Sequence, residues 1–307
     1  MRARWLMGLG LLLSGCGFFG PVPYQGQVVD PSGKPLAGAV VASEKAAALT
    51  GADGRFTLSD SAGVLTARKI RYAARTVTRS MDRIVLSPTD RPVTVAWDQR
   101  WQAPAMDGLI GYLRTQGFEV TPVTAGALPD DQDVYVLPSP AWFSKAAYEE
   151  YLRQAGRGAK ILLLGEWGGY DGIDLAACNA LGTKAGITFA AAAVRSYSDR
   201  TAEEWLTFHP SSTLLGTDLS KGVRLFTAGA LDLQAPAVSL LATDADGVRI
   251  QTWSRGIQSV TGAGPLGRGS LVALADTSVF TDETGPDGVP HWKAVDNPTF
   301  AVSLLNW

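Results

Sequence analysis

Residues 159–165 spell Ala-Lys-Ile-Leu-Leu-Leu-Gly, an apolar run broken only by one lysine and closed by a glycine. A short continuous run of this kind is typical of a strand that is buried on both faces, as in the centre of a parallel sheet. A helix is predicted before it, from Ser144 to Gln154, because the Ser144 side chain can accept a hydrogen bond from a free first-turn N–H. We therefore expect 159–165 to be a central strand of an α/β domain.

Strands and helices alternate on both sides of this central strand. Between 106 and 116 the apolar residues are spaced by three and four, which predicts a helix that ends at Gly117. The other predicted elements are strands at 93–98, 118–123, 133–138, 223–226, 237–242, 248–253 and 269–276, and helices at 174–182 and 297–307. Because such alternation is typical of crossover connections, we expect an open, mostly parallel α/β sheet over 92–307, with helices on both faces.

The segment from 24 to 88 has a different pattern, in which short strands are separated by turns and no helical period occurs. Its composition differs as well: residues 22–87 hold nine Lys and Arg against five Asp and Glu, whereas residues 88–307 hold sixteen against twenty-four. Short strands with regular turn signals are typical of a sandwich. We expect a small N-terminal β-sandwich that ends near Pro88.

Turn and strand residues in this segment follow a recognisable order. They are Gly26, Val28, Asp30, Gly33, Pro35, Leu36, Gly38 and Ala39, followed by Thr50, Asp53, Gly54 and Phe56. In this order they resemble the carboxypeptidase regulatory-like family. The resemblance implies a non-catalytic structural or binding module over 24–88, since the family name carries no peptidase activity with it.

The first sixteen residues, MRARWLMGLGLLLSGC, begin with two arginines and continue with an apolar run too short to span a membrane. These proportions are typical of a secretory signal, here residues 1–15. Leu13-Ser14-Gly15-Cys16 resembles the lipobox of bacterial lipoproteins, which implies lipid on Cys16 and a tether over 16–23. The alternative is an ordinary signal with an accidental cysteine. Gly17 in place of an aspartate favours the outer membrane, where the cell has one.

The larger segment carries a series of short motifs in a fixed order. They are Asp98, residues 117–120, residues 158–165, Asn179 with Leu181 and Gly182, Gly186 with Ile187 and Phe189, His209-Pro210, Leu215-Gly216, residues 267–272, Asp276, residues 278–280, and Asp296-Asn297 with Phe300. This order resembles the glutamine-amidotransferase-like, flavodoxin-like domains of bacterial envelope proteins.

In active members of that fold a cysteine follows the central strand in a Gly-x-Cys-x-Gly turn. Here Gly165-Glu166-Trp167-Gly168-Gly169 has a tryptophan at that position, and an indole cannot attack a carbonyl.

Several carboxylates and aromatic side chains are expected at the carboxyl ends of the strands, where open α/β sheets bind ligands. The candidate ligand cleft consists of Asp98, Glu166, Trp167, Tyr170 and Asp276. Carboxylates there could hold Mg²⁺ or Ca²⁺, or could instead bond to loop N–H groups. Aromatic rings, including Trp97, Trp101 and Trp142, could stack on sugars or could fill the core.

Composition limits the remaining possibilities. The net charge of −2 gives no reason to expect a nucleic-acid partner, and two histidines leave little room for zinc. Cys178, in an apolar helical context, is expected to be a buried thiol rather than a nucleophile. The basic run Arg68, Lys69, Arg71, Arg75, Arg79 and Arg83 could contact anionic lipid headgroups or form a solvated strand face.

Together these features predict a membrane-anchored envelope lipoprotein. Its amidotransferase-like domain is expected to have no catalytic residues and no cofactor, and to act in binding or scaffolding with a glycan or protein ligand. The alternative is a metal-dependent hydrolase that acts on envelope glycans.

Overall fold

Two architectures follow one another along the chain, a strand-only segment and a longer segment of strands and helices. The computed structural model describes residues 23–59, 63–78, 81–101, 104–140, 144–168, 173–196, 205–208, 213–243 and 245–307. The predictions for Cys16, Trp142, Tyr170 and His209 lie outside these residues. Within them, no helix has the length and apolar character needed to cross a membrane.

The strand-only segment forms two sheets that share one core. Its strands are β1 Tyr24–Val29, β2 Val40–Ala42, β3 Ala47–Leu49, β4 Arg55–Leu58, β5 Val64–Arg68, β6 Arg75–Thr78 and β7 Arg83–Val85. One sheet has the order β4-β1-β7 and the other the order β3-β2-β5-β6. Val28, Phe56 and Ile84 from the first sheet pack with Val41 and Leu65 from the second. The residues therefore form the predicted small β-sandwich.

The longer segment contains thirteen described strands and four described α-helices. The strands are β8 Val93–Asp98, β9 Phe118–Val123, β10 Val134–Pro138, β11 Lys160–Leu164, β12 Ile187–Ser196, β13 Trp205–Phe208, β14 Val223–Phe226, β15 Gly229–Leu233, β16 Val238–Ala242, β17 Gly247–Arg249, β18 Ser254–Arg255, β19 Ser259–Leu266 and β20 Gly269–Leu274. The helices are α1 Asp107–Thr115, α2 Lys145–Arg157, α3 Leu175–Gly182 and α4 Asn297–Asn306. Single 3₁₀ turns occur at Thr183–Ala185, Thr213–Leu215, Ser278–Phe280 and His291–Lys293.

Five of the strands form a parallel sheet in the order β9-β8-β10-β11-β20. This is the 2-1-3-4-5 order of flavodoxin-like sheets. Every residue of β11 is buried, so 159–165 does contain a central strand, as predicted. Helices α1 and α4 pack in the core on one face, and α2 and α3 pack in the core on the other.

The rest of the large sheet is antiparallel, which corrects the prediction of a mostly parallel sheet. Beyond β20 the order continues β19-β15-β12-β17-β18, and β16 pairs with β19. Only two residues, Gly267 and Arg268, separate β19 from β20, and Gly267 has a φ of 59°. A connection this short can only return antiparallel, because a parallel partner needs a crossover of a dozen or more residues. The strand predicted at 248–253 is also wrong beyond Arg249, where the chain turns.

Candidate functional site

The carboxyl ends of the parallel strands bring most of the predicted site residues to one edge of the sheet. Asp98 is the last residue of β8, Glu166 and Trp167 follow β11, and Asp276 follows β20. Tyr170 lies outside the described residues. This edge is where open α/β sheets usually carry their ligands. Its side-chain contacts show what each of these groups does.

The Asp98 carboxylate is fully buried and engaged on both oxygens. Its Oδ1 accepts hydrogen bonds from the backbone N–H and Nε of Arg100, at 3.0 and 2.9 Å. Its Oδ2 accepts from Nη2 of Arg100 at 2.7 Å, Nε1 of Trp101 at 2.9 Å and the hydroxyl of Tyr151 at 2.6 Å. Five donors leave no lone pair of Asp98 directed at a ligand.

Arg100 joins this carboxylate to a second one. Its Nη1 and Nη2 each lie 3.1 Å from Oε2 of Glu150, whose Oε1 accepts from the N–H of Leu128 at 2.6 Å. Burial alone would lower the pKa of Arg100, but the hydrogen bonds and charges of Asp98 and Glu150 outweigh it and raise the pKa. Burial, followed by the Asp98 charge, raises the pKa of Tyr151. These groups form a buried ionic cluster, Asp98–Arg100–Glu150, that the sequence did not predict.

Glu166 is directed at the loop after β20. Its Oε1 accepts hydrogen bonds from the N–H of Thr277 at 2.9 Å, from the N–H of Ser278 at 3.2 Å and from the Ser278 hydroxyl at 3.4 Å. Burial, followed by the negative charge of Asp276, raises the pKa of Glu166 well above its ordinary value. Glu166 thus fixes the end of β11 to the end of β20.

Asp276 makes a similar connection in the same loop. Its Oδ1 accepts from the N–H of Val279 at 3.2 Å, and its Oδ2 accepts from the N–H of Phe226 at the end of β14. Burial raises the pKa of the Asp276 carboxyl to about 7, although these backbone N–H groups lower it. The carboxyl group therefore bonds both to the 3₁₀ turn Ser278–Phe280 and to the end of β14.

Ser139 closes the same edge between β10 and β20. It has a φ of 33°, which is uncommon for a residue with a side chain. Its buried hydroxyl lies 2.5 Å from the hydroxyl of Thr277, which in turn donates to the carbonyl oxygen of Gly165 at 3.1 Å. The ends of β10, β11 and β20 are therefore linked through side chains. The position of Ser139 between two prolines was the available sequence signal for an unusual backbone.

The aromatic side chains at this edge have different environments. Trp97 is buried in the core, and Trp101 donates to Asp98. The side chain of Trp167 is partly exposed. The backbone of Trp167 packs closely on Gly229, because a Cβ added to Gly229 would lie 3.1 Å from both Cα and N of Trp167. The sugar-stacking hypothesis therefore loses Trp97, whereas Trp101 and Trp167 are both partly exposed.

The metal-hydrolase alternative required Asp98, Glu166 and Asp276 to converge on one point. Among the described residues, no group of three or more His, Cys, Asp or Glu side chains is placed to hold a metal ion. The reason is local: Asp98 is bonded to Arg100 and Tyr151, whereas Glu166 and Asp276 accept from the loop after β20.

Cys178 is buried in α3, as the sequence predicted. Burial, together with the negative charges of Asp174 and Glu166, raises the pKa of its thiol. Since the thiolate is the nucleophilic form, this environment opposes reactivity. His291 stacks on the ring of Phe226 at 3.6 Å between centroids, and burial lowers its pKa.

Comparison with known proteins yields no match to a family model and none to a curated protein. Among solved structures, the N-terminal domain of mmIFT52 is similar, with a TM-score of 0.53 and 14% identity over 70% of this chain and 96% of that one. A cytoplasmic protein from Salmonella typhimurium LT2 has a TM-score of 0.47 and 11% identity, covering 69% and 98%. A protein described as ThuA-like from Bacteroides uniformis has a TM-score of 0.44 and 8% identity, covering 70% and 91%. The first of these likenesses supports the α/β fold.

Proposed function

We propose that this protein is a lipid-anchored envelope protein whose α/β domain acts in binding or scaffolding and not in catalysis. The observation that carries the proposal is the turn after the central strand β11. Where an amidotransferase of this fold would present a nucleophile, this chain has Glu166 and Trp167. Oε1 of Glu166 accepts hydrogen bonds from the N–H groups of Thr277 and Ser278.

The remaining groups at this edge support the same proposal. Asp98 is neutralised by Arg100, and Cys178 lies in a helix with a pKa raised by burial. Acyl transfer needs a nucleophile that is activated by a base. Nδ1 of His291 lies 3.2 Å from the Thr281 hydroxyl, but that hydroxyl donates to the carbonyl oxygen of Ser278 at 2.9 Å, and the imidazole ring packs on Phe226. The carboxylates of this edge bond to backbone N–H groups and to Arg100, which is the pattern of a structural edge.

Glutamine hydrolysis tests the catalytic part of the proposal. We expect the full-length protein, incubated with glutamine, to release no more ammonia than buffer does, because the turn after β11 has Trp167 where an amidotransferase has its nucleophile. Cys178→Ser is the matched variant, since it removes the one described thiol. Ammonia release that the wild type shows and Cys178→Ser abolishes would disprove the non-catalytic assignment.

Cellular fractionation tests the anchor. Two or more acyl chains, at about 0.8 kcal/mol per buried CH₂, hold a protein stably on a membrane, whereas one chain is marginal. We therefore expect the wild-type protein in the membrane fraction and Cys16→Ser in the soluble fraction. Cys178→Ser is the control and should stay with the membrane. Membrane retention of Cys16→Ser would contradict the lipid anchor.

A further inference from the structure

A cleft of about 410 Å³ lies between the β-sandwich and the opposite edge of the large sheet. Its walls come from the loop after β5, the loop before β10, the end of α2, the starts of β11 and β20, and Trp307. This is the amino-terminal edge of the parallel strands. Asp98, Glu166 and Asp276 lie at the opposite, carboxyl-terminal edge. The volume falls within the range of small-molecule sites.

Basic side chains dominate the charged lining of this cleft. The acidic side chains are two, Asp131 and Asp133. The basic side chains are six, namely Arg68, Lys69, Arg71, Arg91, Arg157 and Lys160. Arg91 forms a bidentate pair with Asp133, and Arg157 pairs with Asp130. Asp133 is thus paired with Arg91, which leaves Asp131 as the one acidic side chain of this lining opposite the four other basic side chains.

The four other cations have no carboxylate side chain as partner among the described residues. Lys69 bonds to the carbonyl oxygen of Trp307, and Arg71 donates from Nε to Oδ1 of Asn306 at 2.6 Å. Lys160 donates to the carbonyl oxygens of Leu304 and Leu305 at 3.1 and 3.2 Å. The acceptors of Arg71 and Lys160 are neutral, so these hydrogen bonds do not balance the charges of the two side chains.

Arg68 and the two lysines are the groups that most lack an anion. Nε of Arg68 is buried without a hydrogen-bond partner and lies across Gly158, where an added Cβ would be 2.7 Å from it. Burial lowers the pKa of Lys69 to about 7, and burial together with the charge of Lys69 lowers the pKa of Lys160. Nε1 of Trp307, at the same wall, is also buried without an acceptor. An anion placed here would relieve the repulsion between these cations.

We propose that this cleft binds a phosphate group carried on a small organic molecule. Guanidinium and ammonium donors converging on one site match the several oxygens of phosphate, which Arg can bind through two N–H groups at once. The cleft is larger than a bare phosphate needs, so the phosphate is the anchoring part of a larger polar ligand. A soluble phosphate ester and a phospholipid headgroup share this chemistry. The site is independent of the lipid on Cys16 and of the absence of catalysis.

Calorimetric titration of the full-length protein, in a neutral detergent, tests the proposal. The titrants are inorganic phosphate, glycerol 3-phosphate and glycerophosphoglycerol, each compared with sodium chloride at the same ionic strength. We expect at least one phosphate compound to bind with a Kd of about 1 mM or tighter, so that binding approaches saturation at a titrant concentration of about 10 mM. Tightest binding of the diester identifies a lipid headgroup, and tightest binding of the monoester or of phosphate identifies a soluble ester. No binding of any of the three overturns the proposal.

Variants locate the binding. The double variant Arg68→Gln/Arg71→Gln should weaken phosphate binding at least tenfold. The control is the double variant Arg55→Gln/Arg83→Gln, which removes two exposed charges of the same sandwich outside the cleft. The control should weaken phosphate binding less than twofold. Asp131→Asn removes a negative charge from the cleft and keeps a residue type that tolerates its φ of 62°. It should tighten binding about two- to threefold, which no loss of folding can imitate. Equal effects of the two double variants, or no gain in Asp131→Asn, would refute a site in this cleft.

Discussion

Replacing Arg100 with methionine is expected to lower the free energy of unfolding by about 3–5 kcal/mol, the usual cost of breaking a buried ionic group. The substitution leaves Asp98, which is fully buried, without its cation, and leaves Glu150 with only the half-exposed Arg153. Methionine fills a comparable volume, so the loss reports on the missing charge and hydrogen bonds. Urea unfolding at neutral pH measures it.

Arg153→Met is the matched control. Arg153 also faces Glu150, at 4.0 Å, but its side chain is half exposed. An exposed pair contributes about 0–1 kcal/mol, so this variant should unfold almost as the wild type does. The contrast separates loss of the buried cluster from loss of any arginine near Glu150.

The result also decides what Asp98 does. If Arg100→Met folded with wild-type stability, the Asp98 carboxylate would not depend on Arg100, and a ligand-binding role at this edge would become the better assignment. A loss of several kcal/mol assigns Asp98, Arg100 and Glu150 to the structure of the edge.

Much of the parallel half of the fold was predictable because its signals are local. Strands β8 and β9 match the predicted 93–98 and 118–123, and Ser144 accepts from the N–H of Ala147 as the N-cap of α2. Each signal needs only a continuous apolar run, an alternating pattern or a capping residue. The same runs placed Asp98, Glu166 and Asp276 at the carboxyl edge, since parallel neighbours end together.

In the antiparallel half the strand at 237–242 was predicted and corresponds to β16, whereas β12, β15 and β19 were not predicted. Strand β12, Ile187–Ser196, contains four consecutive alanines, and alanine favours helices when tertiary contacts do not decide. The site partners were missed for a different reason. Glu150 is fifty residues from Arg100, and Arg68 reaches Gly158 across the two architectures, so no spacing rule connects them. A ligand edge inferred from topology likewise could not reveal the basic cleft at the opposite edge.

The protein is expected to lose stability as pH rises from about 4 towards 7 through the buried pair Glu166 and Asp276. Folding raises the pKa of Asp276 from 3.8 to about 7 and raises that of Glu166 as well. Between the unfolded and folded pKa values the folded state therefore binds more protons than the unfolded state. Its stability is greatest below the unfolded pKa and falls as pH rises, by about 1.4 kcal/mol per pH unit for each proton by which the two states differ.

Glu166→Gln isolates this contribution. The amide oxygen can still accept from the N–H groups of Thr277 and Ser278, while the ionisable group is gone. Subtracting the variant's unfolding free energy from that of the wild type, at each pH, cancels the titrating residues that do not interact with Glu166 and leaves the contribution of Glu166 and of its interaction with Asp276. We expect this difference to become more negative as pH rises, so that the variant becomes more stable relative to the wild type towards pH 8.

Glu149→Gln is the control, because Glu149 is an exposed residue whose carboxylate lies 3.7 Å from Nζ of Lys145. An exposed pair contributes about 0–1 kcal/mol, so this variant should unfold almost as the wild type does. A flat difference for Glu166→Gln as well would show that the Glu166 carboxyl ionises as freely in the folded protein as in the unfolded chain. Its burial against the loop after β20 would then be wrong, and with it the structural role assigned to this edge. A steep difference means that burial keeps this carboxyl protonated in the folded protein, as its place against the loop after β20 requires.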